Sequence, residues 1–270
     1  MDTKALIDSL DLIQKTHPLV QHITNMVTVN DCANITLAFG GAPVMADWGD
    51  DALEMVEHAG ALVLNMGVLT AESIETMIAV GRKAKTLGVP VVFDPVGAGA
   101  TESRRSASRR ILAEAVPDIV KGNAAEILFL AGEEVRQKGV DSEVSHGVAA
   151  VARRLAAENA TVVVATGICD YVSDGTEIFR LEGGSSMMGR ITGTGCMSAS
   201  VLGCFAAVLD SKFEAALLGT LSMNIAGERA AESLAAGEGS GTFRTRLIDA
   251  ASLLSSGPLE INPDRRVFHE

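Results

Sequence analysis

The chain has 270 residues, 47% of them hydrophobic and 21% charged, with a net charge of -12. That length and apolar share suit one α/β domain with a sizeable core. The acidity excludes a nucleic-acid partner, whose phosphates need a basic face, and 4% aromatic residues leave no stacking platform for single strands. Four cysteines (Cys32, Cys169, Cys196, Cys204) without a CxxC pair, and five histidines without HExxH, argue against a zinc site or disulfide framework. Reduced thiols in a cytoplasmic protein are the simpler reading. Met1 to Gln14 carries Asp2, Asp8 and Asp11, so no signal peptide is expected there. No apolar run reaches the length of a membrane span.

In chain order, Leu6, Leu10 and Ile13 fall near helical spacing, which predicts an amphipathic helix over 3–16, ended by Pro18. Residues 19–23 read as a strand and 29–39 as a helix stopped by Gly40-Gly41. Pro43-Val44-Met45 is a short strand, and Asp47, Asp50 and Asp51 favour the start of a following helix through its dipole. Residues 61–67 form an apolar run of the kind buried on both faces of a sheet. A helix over 71–87 stops at Gly88. Further buried strands are expected at 90–95, 118–123 and 161–167, with a helix holding Glu126, a loop over 132–147 and a helix over 148–158. Tyr171 to Phe179 reads as a hairpin turning at Asp174-Gly175. Helices follow at 195–209, 212–236 and 241–255. This alternation predicts a mostly parallel sheet with helices on both faces, a three-layer α/β fold in one domain over 1–270.

Candidate chemistry gathers at two kinds of place. Thr192-Gly193-Thr194-Gly195-Cys196-Met197-Ser198-Ala199 follows a glycine-rich approach (Gly183, Gly184, Gly189) and opens a long apolar segment. Its glycines permit a tight turn and close approach to a ligand. The helix start beyond them presents unpaired N–H groups that suit a phosphate, with a thiol inside the cup. The second place is the carboxyl edge of the parallel strands, where ligands bind in open α/β sheets. There stand Asn25, Met45, Asp47, Asn65, Asp94, Lys121, Asn123 and Thr166. A cation, carboxylates for a metal, hydroxyls and an anion cup are the parts that phosphoryl transfer needs.

Each residue also has a plainer reading. Asp94 before Pro95 suits a turn, Lys121 a solvated strand end, Glu126 an exposed helix position and Thr166 a strand terminus. Met45 suits a core, and Cys196 a small buried hydrophobe. No GxxxxGK[ST] occurs, and Gly193-x-Gly195-x-x-Ser198 lacks the last glycine of a dinucleotide fingerprint.

Taken together, the chain resembles the hydroxyethylthiazole kinase family, of ribokinase-like fold. The resemblance rests on Ile23-Thr24-Asn25, Thr28 to Asn34, Pro43 to Ala46, Leu64 to Thr70, Asp94 to Ala100, Gly122 to Ile127, Val140-Asp141-Ser142, Thr166-Gly167, Asp170 to Gly175, Gly193 to Cys196 and Ala226-Gly227-Glu228. It implies ATP-dependent phosphorylation of the alcohol of 4-methyl-5-(2-hydroxyethyl)thiazole. Lys121 and Thr166 would contact ATP, Asp94 and Glu126 would hold Mg2+, Met45 and Gly193 would contact the thiazole, and Cys196 would lie beside its hydroxyl. The family also implies a homotrimer with the thiazole sites at subunit interfaces. Two departures stand out. Lys121 replaces the usual arginine, and a point charge stands where a planar fork would clamp phosphate. Gly239 to Phe243 lacks the proline often found in that turn. Other readings are a kinase of another small heteroaromatic alcohol (hydroxymethylpyrimidine or pyridoxal type), a non-catalytic nucleotide-binding regulator and a Rossmann oxidoreductase.

Overall fold

A computed structural model describes residues 3–133, 142–254 and 267–269. Among the described residues, nine strands form one sheet in the order β2-β1-β3-β4-β5-β6-β7-β8-β9. The first six, β1 (Leu19–Ile23), β2 (Ala42–Val44), β3 (Ala61–Asn65), β4 (Val91–Asp94), β5 (Ile119–Asn123) and β6 (Val162–Thr166), run parallel. The hairpin strands β7 (Cys169–Ser173) and β8 (Ile178–Glu182), and β9 (Val267–His269), continue the sheet antiparallel. The expected mostly parallel sheet is therefore present.

Side-chain alternation along each strand builds the two outer layers. On β3, Ala61 and Val63 join a core with α1 (Thr3–Thr16), α2 (Val29–Phe39), α8 (Thr194–Val208), α9 (Lys212–Glu232) and α10 (Ser240–Ser252). Leu62 and Leu64 join a second core with α3 (Gly49–Met55), α4 (Ala71–Leu87), α5 (Glu102–Ala115), α6 (Ala124–Leu130) and α7 (Ser142–Asn159). The same parity aims His22, Asn65, Asp94 and Lys121 at the layer that holds α8, because Val20, Val63, Val92 and Ile119 belong to that core. Four chemically active side chains thus converge on one helix.

Local signals explain most boundaries. Gly40 and Gly88 close α2 and α4 in the left-handed conformation. Asp50 and Asp51 lie in the first turn of α3. Four elements differ from the sequence expectation. The helix α7 begins at Ser142, so the end of the 132–147 stretch is helical and not a loop; residues 134–141, with Val140 and Asp141, lie outside the described residues. The helix α9 ends at Glu232, four residues before the expected end. No expectation covered α5 or β9. In α5 the charged sequence ESRRSASRRILAEA masks a narrow buried stripe of Ala107, Ser108, Ile111 and Ala115. The strand β9 is three residues long and becomes one only by pairing with β8.

Candidate active site

The helix α8 begins where β1, β3, β4 and β5 end. Gly193 is its N-cap with φ 91°, and a methyl group there would sit 2.9 Å from Thr28 Cγ2. Only glycine takes that φ without strain in such a space. The first helical bond runs from Met197 N to Gly193 O at 2.7 Å. The N–H groups of Thr194, Gly195 and Cys196 precede it, so they have no partner within the helix. The helix is 15 residues long and buried along most of its length, which holds this end rigidly against the strand termini.

Two cavities meet there. The smaller, about 370 Å³, is lined by Asn25, Thr28, Asp94, Glu126, Gly193 and Cys196 among others. The larger, about 500 Å³, lies towards the hairpin and the 183–189 segment, against Ile168, Asp170, Gly184, Ser185 and Asn224. Lys121, Asn123, Thr166 and Gly195 line both. Six of the seven residues singled out from the sequence therefore stand at one place, from segments between 94 and 196 in the chain.

Asp94 is 1% exposed, and its Oδ2 accepts from Asn65 Nδ2 at 2.7 Å. Lys121 Nζ stands 3.9 Å from Asp94 Oδ1 and donates to Gly195 O at 3.0 Å. Burial pushes the Asp94 carboxyl up to about 6, against the pull of Lys121 and with a further push from the Glu126 charge. Lys121 thus ties β5 to the first turn of α8, and it is buried, not solvated. Thr166 Oγ1 donates to Gly122 O at 3.2 Å, so its hydroxyl is fixed at the end of β6.

Both oxygens of the Glu126 carboxylate are held by backbone donors. It closes a capping box at the start of α6, where Asn123 Oδ1 accepts from Glu126 N at 3.0 Å and Glu126 Oε2 accepts from Asn123 N at 2.7 Å. Its Oε1 accepts from Gly97 N at 2.8 Å. Each oxygen keeps a lone pair, and the side chain faces the smaller cavity. Asp94 and Glu126 are hard oxygen donors whose charges repel. That set suits Mg2+, which takes one or two carboxylates and keeps several waters. Among the described residues, no group of three or more His, Cys, Asp or Glu forms a fuller metal cage.

Cys196 is buried, and burial first, then the Asp94 charge, push its thiol above the ordinary value. Its sulfur lies 3.2 Å from Asn65 Nδ2. Burial also pushes Cys32 up to about 11 and Cys204 up to about 12, in keeping with structural thiols. Met45 is the exception among the seven. It is half-buried just beyond β2, at the sheet edge, and lines neither cavity. Around that edge, Met26, Val27, Trp48 and Val68 are exposed. Sequence reasoning also missed the far wall of the larger cavity. Ile168 is 80% exposed there, and the buried Asp170 accepts from Gly167 N at 3.0 Å and from Asn224 Nδ2 at 2.8 Å. An Asp-Asn pair 54 residues apart leaves no local signal.

The fold is the ribokinase-like one, shared with small-molecule kinases. The model of the hydroxyethylthiazole kinase family matches residues 10–256, and the chain belongs to that family. A hydroxyethylthiazole kinase of Thermoanaerobacter pseudethanolicus is 44% identical over 262 residues, 97% of this chain and 98% of that protein. One from Alkaliphilus oremlandii is 46% identical over 90% of each chain. The structure of a hydroxyethylthiazole kinase protein from Pyrococcus horikoshii OT3 superposes with a TM-score of 0.87 at 36% identity, covering 99% of this chain and 100% of that one. Pyridoxal kinase of Bacillus subtilis, solved with ADP, shares the fold alone, with a TM-score of 0.60 at 17% identity over 78% of this chain and 91% of that one.

Proposed function

We propose that this protein transfers the γ-phosphoryl group of ATP to the hydroxyl of 4-methyl-5-(2-hydroxyethyl)thiazole, as a step of thiamin biosynthesis or salvage. The observation that carries the site assignment is the shared wall of Lys121, Asn123, Thr166 and Gly195 between two cavities. The larger holds ATP, with Lys121 and Thr166 on its phosphates. The smaller holds the alcohol, with Cys196 beside the hydroxyl and Gly193 against the ring. Met45 lines neither cavity of its own chain, so its contact with the ring is assigned to a site completed between subunits of a homotrimer, at the edge where apolar residues are exposed. The whole of 1–270 acts as one domain, and its four free cysteines suit the cytoplasm.

The hydroxyl oxygen attacks the γ-phosphorus, the bond to the β-phosphate oxygen breaks and ADP leaves with that electron pair. The hydroxyl proton leaves with the phosphorylated product or to solvent. The transition state is loose and needs little activation of the nucleophile, so a neutral thiol is sufficient at Cys196, where it places the hydroxyl. The N–H groups of Thr194, Gly195 and Cys196 stabilise the moving phosphoryl group, as backbone donors aimed at developing charge do. Asp94 and Glu126 would hold Mg2+, which would neutralise charge on the phosphates. Lys121 adds a cation whose position is set by Gly195 O.

The test is ADP release by the purified protein with Mg-ATP and a panel of heteroaromatic alcohols. Turnover with the thiazole alcohol above the pyrimidine and pyridine alcohols is expected. Turnover confined to one of the latter would reassign the substrate.

A further inference from the structure

We infer that Asn25 and Asn65 are positioning residues that hold the Cys196 sulfur as an acceptor and so turn its S–H into the smaller cavity. The inference rests on the proposed function, and it adds two residues to the site.

An amide side chain has one acceptor end and one donor end, and only its partners say which way it points. Both amides are fixed by backbone donors. Asn25 Oδ1 accepts from Val27 N at 3.1 Å and Thr28 N at 3.2 Å. Its Nδ2 must therefore face the other way, where it donates to Asn65 Oδ1 at 2.8 Å and lies 3.6 Å from Cys196 Sγ. Asn65 Oδ1 also accepts from Gly67 N at 2.9 Å. That leaves Asn65 Nδ2 two hydrogens and two partners, Asp94 Oδ2 at 2.7 Å and Cys196 Sγ at 3.2 Å. Three turn N–H groups thus orient two buried amides, and both amides present N–H to one sulfur.

The arrangement has no spare room. A methyl group on Gly67 would sit 2.5 Å from Asn25 Nδ2 and 3.0 Å from Asn65 Oδ1, so a glycine is needed for the amides to meet. Asn25 and Asn65 are 4% and 1% exposed. Buried amides of this kind are costly unless satisfied, and here their last donors are spent on Cys196 and Asp94. With both amides donating to sulfur, the thiol hydrogen is directed away from them. The side left open faces the Asp94 carboxylate, with which the thiol shares a hydrogen bond, and the cavity, where an entering substrate hydroxyl oxygen can accept it instead. The thiol then acts as a donor that places the oxygen, and the carboxylate stays at a set distance from it.

The experiment uses Asn65→Asp and Asn25→Asp, each with and without Cys196→Ala, in the full-length protein. Either aspartate keeps the acceptor oxygen that the turn N–H groups need and removes the donors. A fall in kcat of about 100-fold is expected for Asn65→Asp, the loss typical of an ångström of misplacement at a reacting centre, with the KM for ATP within about twofold of wild type. In the Cys196→Ala background, Asn25→Asp should cost less than about threefold more, because residues acting through one group are not additive. A kcat within about threefold of wild type in either single variant overturns the inference, as does a double variant whose loss is the product of the two single losses. A matching rise in the KM for ATP would also overturn it, since that marks general damage. If Asn65→Asp does not fold, the Asn25→Asp cycle decides alone. Failure of the proposed function is separate, because it shows as no turnover of any alcohol by the wild-type protein.

Discussion

The two cavities are built from different materials. The smaller is walled by the ends of rigid elements: Asp94 closes β4, in register with Asn65 behind it, Glu126 sits in a capping box and Cys196 in the first turn of a buried helix. The side chains of Asn65, Asp94 and Glu126 each have a stated partner, and the neighbouring Asp94 and Lys121 are both buried. The larger cavity shares the ends of β5, β6 and α8 and reaches Thr220 and Asn224 of α9, but its outer wall is the glycine-rich 183–189 segment, the β6–β7 turn and an exposed isoleucine. The difference teaches where precision is placed. Groups that meet a reacting atom stand on packed elements, where an error of an ångström is expensive. A nucleotide, held by many contacts over a large surface, tolerates backbone and small side chains.

This contrast can be broken by showing that variants in both cavities change the same kinetic constant. Asp94→Asn, in the smaller, should lower kcat by about 100-fold or more with little change in the KM for ATP, as loss of a group that stabilises transition-state charge does. Lys121→Ala, on the shared wall, should do both. Loss of a charge-assisted contact is worth about 1.5–3 kcal/mol, so roughly ten- to hundredfold is expected across kcat/KM for ATP. Gly193→Ala should cost about 1–3 kcal/mol of stability in denaturant unfolding, from the positive φ and the contact with Thr28. Ile168→Ala, in the larger cavity, should raise the KM for ATP about fivefold, the worth of about 1 kcal/mol of apolar contact, and leave kcat alone. An unchanged KM there would show that the base lies elsewhere.

A pH experiment sharpens the same contrast. The folded value of Asp94, about 6, lies above its ordinary 3.8. Its protonation therefore favours the folded state at low pH, and that contribution is lost as pH rises from 3.8 to about 6. Metal-free wild type should lose melting temperature relative to Asp94→Asn across that window, and added Mg2+ should reverse the loss at neutral pH. Parallel curves for the two proteins would mean that the carboxylate is already compensated without a cation.

Much of the fold was legible because the parallel strands are short apolar runs bounded by turn residues. β1, β3, β4, β5 and β6 lie within two residues of the expected spans. The helix α2 runs over the expected 29–39 because Gly40 can take a left-handed turn. Where burial did not show in the pattern, the reading failed. The helix α5 buries a thin stripe under four arginines, and α7 starts earlier than its apolar part. The strand β9 depends on a partner far away in the chain. In the site, Asp94, Lys121, Thr166, Glu126, Gly193 and Cys196 were legible as residues placed after strands or in a glycine turn. Met45 was named with them, and it stands outside both cavities. Ile168 and Asn224 carried no signal and Asp170 stood only within a matched segment, since an exposed apolar residue and two buried polar ones mean nothing until a cavity joins them.

The amino-acid order by itself determined which segments become strands and helices, and that the strand ends carry carboxylates, amides and a lysine. Those are short-range matters of side-chain periodicity and backbone freedom. Only the tertiary structure decided that Lys121 meets Gly195 O across 74 positions, that two asparagines share one sulfur and that two cavities have a common wall. The parity of each strand and the seat of α8 settle these points, because they aim side chains from distant segments at the same few ångströms of space.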